Sequence, residues 1–141
     1  MRIRPILVFY CAVTVLGLVK LAEWADPPPV PGAGCRVTYV IDGDTVVLAC
    51  PDGDRHGRLI GIDTPEMSGQ CPAETTAAQA ARKALQAMVA AAEVTEVTVE
   101  GSDAYGRSLV RLRLDGRDAA RAMIAAGHGR RYDGGQREGW C

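Results

Sequence analysis

Histidine is scarce in this sequence, which has only His56 and His128, and no Cys-x-x-Cys pair occurs. Structural zinc sites are built mainly from cysteine and histidine at short spacings. The sequence therefore disfavours a zinc centre. Lysine is scarcer still after residue 25, where Lys83 is the only one. Positive charge comes instead from arginine, much of it in the last third of the chain.

The sequence also lacks an excess of positive charge. Its 141 residues carry a formal net charge of −1. Setting residues 1–25 aside removes three basic residues and one acidic residue, which leaves a net charge of −3. A tight nucleic-acid-binding module typically carries a basic surplus. If the substrate is a nucleic acid, this charge favours an enzyme, which tolerates weak and salt-sensitive binding, over a protein that only binds.

The first 25 residues have the layout of an export signal. Arg2 and Arg4 precede an apolar run over residues 5–19, and Lys20 follows it. That run is shorter than the roughly 20 residues of a transmembrane helix. We expect a cleaved signal, with an uncleaved N-terminal anchor, and so attachment to a membrane, as the alternative. A Pro/Gly linker over 26–34 and one domain over 35–141 follow, in a periplasmic or secreted protein.

The domain shows the alternation and turn signals of a small β structure. Ala73–Ala92 has the periodicity of an amphipathic helix, and it falls between the third and fourth predicted strands. This order is that of an OB-type barrel, so we predict a mainly β fold with α (α+β), a five-stranded OB-fold barrel with two helices. The tail 128–141 is predicted to be irregular. Strands are predicted over 36–41, 45–49, 55–62, 94–100 and 108–114, and helices over 73–92 and 117–126.

Four of the five cysteines lie in the predicted domain. Four cysteines allow three pairings, and disulfides persist in exported proteins. A hairpin that turns at Asp42-Gly43 places Cys35 and Cys50 almost opposite each other on its strands. We therefore favour that pair, which leaves Cys71 to pair with Cys141.

Acidic and basic side chains follow the apolar runs. Asp44 and Asp63 offer hard oxygen ligands for calcium or magnesium, and Glu66 is close enough in sequence to Asp63 to hold or deprotonate a water. Arg58 and Arg107 offer planar forks that match phosphate oxygens. Together these groups suit metal-assisted hydrolysis of a phosphodiester. Each segment alone is equally typical of a turn or a strand end.

Three segments of the sequence together resemble a known family. Val40–Val46, Arg58–Glu66 and Asp103–Arg107 are similar to the signature blocks of the staphylococcal nuclease (thermonuclease) family, in the same order. The resemblance covers about residues 36–132. It implies an OB-fold and calcium-dependent cleavage of DNA and RNA with little sequence specificity. Family members commonly continue into a third helix, which we expect to be missing here, with the Cys71–Cys141 disulfide as its replacement.

The resemblance also assigns roles to individual residues. It implies a monomer that acts on single-stranded or frayed DNA and RNA. Magnesium and manganese are alternative metals, because oxygen ligands alone do not separate them from calcium. The alternative function is an OB-fold module that only binds nucleic acid or a protein partner. The implied catalytic residues are Arg58, Glu66 and Arg107; the calcium ligands are Asp44, Asp63 and the backbone carbonyl of Thr64; Asp42 lies beside the metal; and Tyr105 and, by a looser alignment, Tyr132 contact the substrate.

Overall fold

The computed structural model describes residues 34–141. The predicted export segment 1–25 and residues 26–33 of the predicted linker lie outside the described residues. The described part consists of eight strands and two helices. The strands are β1 Arg36–Val40, β2 Thr45–Cys50, β3 Gly53–Leu59, β4 Gly61–Asp63, β5 Thr95–Ser102, β6 Ser108–Leu114, β7 Arg117–Asp118 and β8 Arg130–Tyr132; the helices are α1 Pro72–Ala91 and α2 Ala119–Ala125.

The five longer strands form one sheet. β1, β2 and β3 pair antiparallel in sequence order and form a meander. The sheet continues through parallel pairing of β3 with β6, and β6 pairs antiparallel with β5. The hydrogen-bonded order is therefore β1-β2-β3-β6-β5. Within residues 34–141 no ladder closes the sheet between β1 and β5, although these two strands lie in contact.

The third predicted strand is in fact two strands. Gly61 has a φ of +85°, in the left-handed region that glycine adopts readily, and the chain changes direction there. β4 then pairs antiparallel with β8, so that Asp63 lies opposite Arg130. The prediction of an irregular tail is thus wrong for Arg130–Tyr132. No helix occurs within residues 133–141.

Helix α1 covers the sheet with its small and apolar face. Pro72 stands in its first turn, where the missing N–H costs no helical hydrogen bond. Ala78, Ala81 and Leu85 follow at spacings of three and four and are fully buried. Ala81 and Leu85 belong to the same core cluster as the strand side chains, among which Leu48 is also fully buried. No helix among the described residues is long and apolar enough to cross a membrane.

Helix α2 begins two residues later than the sequence predicts. Residues 117 and 118 pair with the end of β6 as β7, after a turn at Asp115 and Gly116, both with positive φ. The Asp118 carboxylate then caps the helix by accepting the Arg121 N–H at 3.0 Å. Gly127, with a φ of +77°, follows its last turn.

Two disulfides join distant parts of the fold. Cys35 is bonded to Cys50, which links the start of β1 to the end of β2. Cys71 is bonded to Cys141, which links the N-terminus of α1 to the last residue. These are the two pairs that the sequence favours. The second of them fixes the tail beside the loop that precedes α1.

Candidate active site

Asp44 lies in the turn between β1 and β2, close against α1. A Cβ atom on Gly43 would lie 2.8 Å from both Ala81 Cβ and Thr64 Cγ2, so only glycine allows this approach. The Asp42 carboxylate accepts the Asp44 N–H at 3.0 Å. Asp42, which the sequence predicts beside the metal, thus contacts the backbone of Asp44 within the turn.

The Asp44 carboxylate is buried in a set of donors. Its Oδ2 accepts the N–H of Thr64 at 3.0 Å and the hydroxyl of Thr64 at 2.9 Å. Its Oδ1 accepts the Thr45 hydroxyl at 3.1 Å. Arg58 Nη1 lies 2.6 Å from Asp44 Oδ2, and both side chains are buried. Burial raises the pKa of Asp44 to about 6, against the lowering effect of the Arg58 charge and with a further increase from Asp42.

Asp63 ends β4 and is 1% exposed. Its Oδ2 accepts two hydrogen bonds from Arg130, from Nη2 at 2.9 Å and Nε at 3.1 Å. Its Oδ1 lies 3.2 Å from Arg137 Nε and 4.0 Å from Arg58 Nη2. This oxygen is buried and makes no hydrogen bond with the described residues. A buried carboxylate oxygen with free lone pairs suits a cation ligand.

Glu66 lies three residues beyond Asp63 with about half of its side chain exposed. Its carboxylate forms an ion pair with Arg137 Nη1. Its backbone N–H donates to Glu74 Oε1 at 3.3 Å, and the Gln70 N–H donates to Glu74 Oε2 at 2.7 Å. Glu74, buried in the first turn of α1, therefore fixes the backbone of the loop that carries Glu66.

Arg107 lies at the end of the turn between β5 and β6. Its Nε donates to Asp103 Oδ2 at 2.7 Å, while Asp103 Oδ1 accepts the backbone N–H groups of Tyr105 and Arg107 at 2.9 and 3.0 Å. Burial works to raise the pKa of Asp103, but the bonds from Arg107 outweigh it and lower that pKa. Tyr105 is 86% exposed, and the Arg107 guanidinium lies over its ring at 5.6 Å.

One cleft brings most of the predicted residues together. It has a volume of about 1060 Å³, and Arg58, Glu66, Arg107, Tyr105 and Tyr132 all line it. Asp44 and Asp63 do not line the cleft; they are buried in contact with Arg58, which does. Asp44 and Asp63 thus lie behind Arg58, whereas Glu66 and Arg107 face the cleft.

Three further residues of the site were not among the predicted ones. They are Glu74, Arg130 and Arg137, which contact Glu66, Asp63 or both. Glu74 stands in the first turn of a predicted helix, where an acid is favoured in any case. The two arginines lie in the glycine-rich tail. Their role depends on the path of that tail, which no local pattern indicates.

A hard divalent cation fits the ligand chemistry of this site. Asp44, Asp63 and the carbonyl of Thr64 would hold it, and all three supply oxygen. The three carboxylates of the site, those two and Glu66, each pair with an arginine in this structure. Three guanidinium groups therefore neutralise the negative charge of these carboxylates, which a bound cation would also neutralise.

The fold and the cleft define a small α+β domain of OB type with an acidic and arginine-rich site. The sequence matches the family model described as staphylococcal nuclease homologue over residues 56–138, which is more than half of the chain. No curated protein matches the sequence. The chain therefore belongs to the staphylococcal nuclease homologue family. The OB-fold of that family confirms the predicted fold class, and its domains are typically nucleases.

Proposed function

We propose that this protein is an exported, calcium-dependent nuclease that hydrolyses phosphodiester bonds of DNA and RNA with little sequence specificity. The observation that carries the proposal is the shared cleft of Arg58, Glu66 and Arg107. Hydrolysis of a phosphodiester needs donors for the phosphoryl oxygens and a group that manages the proton of the attacking water. These three side chains supply both functions within one space.

The two arginines bind the phosphate in this proposal. Arg58 is buried and held by the Asp44 carboxylate, so its fork is already oriented before substrate arrives. Arg107 is held by Asp103 of the same turn. Donors that are fixed in advance stabilise the negative charge of the transition state without reorganisation. Arginine suits this task because its planar group can donate two parallel hydrogen bonds to phosphate oxygens.

Glu66 acts on the water in this proposal. Its side chain is half-exposed at the cleft, so it can accept a proton from a water molecule or orient it. When bound, calcium offsets phosphate charge and lowers the pKa of a ligated water. Its ligands would be Asp44, Asp63 and the Thr64 carbonyl. Because the Asp44 carboxylate has a pKa of about 6, it is mostly ionised at neutral pH and available as a ligand.

The substrate is a single or frayed strand in this proposal. Tyr105 presents an exposed ring beside Arg107, and Tyr132 lines the same cleft. Aromatic rings stack on bases with little regard to sequence. Such contacts favour unpaired bases, whose faces are accessible. The cleft is lined by residues of a single chain, which suits a monomer.

Export is supported by the N-terminal sequence pattern and by the disulfides. Both disulfides are of the kind that persists in oxidising compartments. We therefore place the protein in the periplasm or outside the cell, with an uncleaved anchor at residues 1–25 as the alternative to a cleaved signal.

The test is cleavage of single-stranded DNA in calcium by the purified, oxidised protein. Glu66→Gln and Arg107→Ala should each lower kcat by at least roughly a hundredfold, because each removes one acid-base or electrostatic group. Glu93→Gln and Arg121→Ala are matched controls, since both residues are exposed and outside the cleft. The controls should keep the wild-type rate.

Equal turnover by wild type, Glu66→Gln and Arg107→Ala would sink this mechanism. A wild-type protein that binds DNA but never cleaves it would support the alternative, a binding module of the same fold. Binding is measured in the same samples by fluorescence anisotropy.

A further inference from the structure

The C-terminal tail returns to the cleft and brings a third arginine to it. Arg137 of the tail lines the cleft, where its Nη1 pairs with Glu66 Oε1 and its Nε lies 3.2 Å from Asp63 Oδ1. One guanidinium group thus bridges the proposed water-handling residue and a proposed cation ligand.

Contacts on both sides of Arg137 fix its position. On one side Gly134 and Gly135 adopt φ values of +100° and +93°, and the Gly135 carbonyl accepts the Tyr132 hydroxyl at 2.7 Å. On the other side the Trp140 ring stacks on the Arg130 guanidinium at 4.2 Å. The disulfide at Cys141 then ties the end of the chain to α1.

The contact with Arg137 is what restrains the Glu66 side chain. The loop backbone is held by Glu74, but a half-exposed glutamate retains several rotamers, whose freedom is worth about 1–2 kcal/mol. Arginine keeps its charge in proteins at any ordinary pH, and Arg137 lies between two carboxylates. Arg137 therefore stays charged. Its rigid fork can hold two carboxylates at once, which the ammonium group of lysine does less well.

The same charge has a second effect at Asp63. A guanidinium close to a carboxylate repels any cation that approaches the same oxygen. Arg137 should therefore weaken cation binding while it orients Glu66. Loss of Arg137 should therefore lower kcat but tighten calcium binding. A merely structural role would instead weaken both.

We propose that Arg137 is a positioning residue, which orients the Glu66 carboxylate in the cleft and at the same time lowers the affinity of the Asp63 site for calcium. The orientation of Glu66 rests on the proposed nuclease function. The lower affinity for calcium concerns metal binding alone and is measured without substrate.

The experiment compares Arg137→Gln, Arg137→Lys and Arg131→Gln with wild type. Arg131 is the matched control, because it is exposed and pairs with Asp133 in the same part of the chain. Values of kcat and KM are measured on single-stranded DNA at saturating calcium. The Kd for calcium is measured by isothermal titration of the metal-free proteins, and their folding is checked by thermal unfolding.

For Arg137→Gln we expect kcat to fall roughly tenfold to a hundredfold, as for other residues that orient a catalytic group, with KM nearly unchanged. Its Kd for calcium should tighten on the order of tenfold, since a nearby positive charge is lost. Arg137→Lys keeps the charge but loses the planar guanidinium. Its Kd for calcium should therefore stay near the wild-type value, and its kcat should lie between those of wild type and Arg137→Gln. Arg131→Gln should match wild type in both.

In a wild-type protein that cleaves DNA, two results would overturn the positioning role of Arg137. One is a kcat for Arg137→Gln equal to that of wild type. The other is calcium binding that weakens together with kcat, which would indicate only a disordered site. A wild-type protein that fails to cleave would instead overturn the proposed function and the positioning role with it, while an unchanged calcium Kd in Arg137→Gln would separately refute the charge effect at Asp63.

Discussion

Removal of the Cys71–Cys141 disulfide should reduce both stability and turnover. The double variant Cys71→Ser/Cys141→Ser opens a link with a sequence separation of 70 residues. In the chain-entropy treatment, a link of that length contributes about 4 kcal/mol to the free energy of unfolding. Loss of the link should also release Arg137 from Glu66, because the tail is tied to α1 at Cys141. We therefore expect kcat to fall about tenfold.

The second disulfide provides a control of nearly equal size. Cys35 and Cys50 are separated by 15 residues, and the same treatment gives about 3 kcal/mol for their link. They join the start of β1 to the end of β2, and neither lines the cleft that Arg137 enters. The variant Cys35→Ser/Cys50→Ser should therefore lose similar stability but keep most of its turnover.

Urea unfolding and cleavage of single-stranded DNA, both well below the melting temperatures, measure the two quantities. Similar losses of stability with a loss of kcat only in the Cys71/Cys141 variant would support the reasoning. Equal kcat in the two variants, or a larger loss in the Cys35/Cys50 variant, would refute it, since the tail would then not depend on its disulfide.

Two further predictions concern the Asp44 turn. Asp44→Asn tests the raised pKa of Asp44: the protonated carboxyl stabilises the fold below about pH 4, and this contribution is lost as pH rises through about 6. Relative to Asp44→Asn, the calcium-free wild type should lose about 3 kcal/mol of unfolding free energy between about pH 3 and about pH 7, and parallel pH curves in urea unfolding would contradict this. Gly43→Ala should cost about 1–3 kcal/mol, because its Cβ would lie 2.8 Å from Ala81 Cβ. Gly101→Ala, with nothing within 4 Å of its Cβ, should cost much less, and equal losses in thermal unfolding would contradict the packing argument.

Much of the fold could be predicted because its signals are local. Val46 and Leu48 alternate with less buried neighbours, and both are fully buried in β2. Helix α1 spans almost the predicted range, because alanine favours helix and Pro72 suits its first turn. The segments that carry Asp44, Arg58 and Glu66 follow directly from these elements. For that reason the sequence predicts their proximity.

The rest depends on contacts between distant parts of the chain. The sequence shows a glycine at position 61, which permits a turn there. The pairing of β4 with β8 that follows from this turn depends on where the tail returns. Glu74 has an ordinary place in a helix, and only the fold brings the Glu66 loop onto it. Arg137 has no local partner in sequence, since Glu66 is 71 residues away. Each of these residues gains its role from tertiary structure.

Calcium-dependent cleavage is the central claim, and its most direct test is the rate of cleavage of single-stranded DNA by the oxidised wild-type protein, first in calcium, then in EDTA, then with calcium restored. We predict cleavage in calcium, a loss of at least roughly a hundredfold in EDTA, and recovery when calcium is added back. Cleavage at the same rate in EDTA, or no cleavage in calcium, would contradict the account.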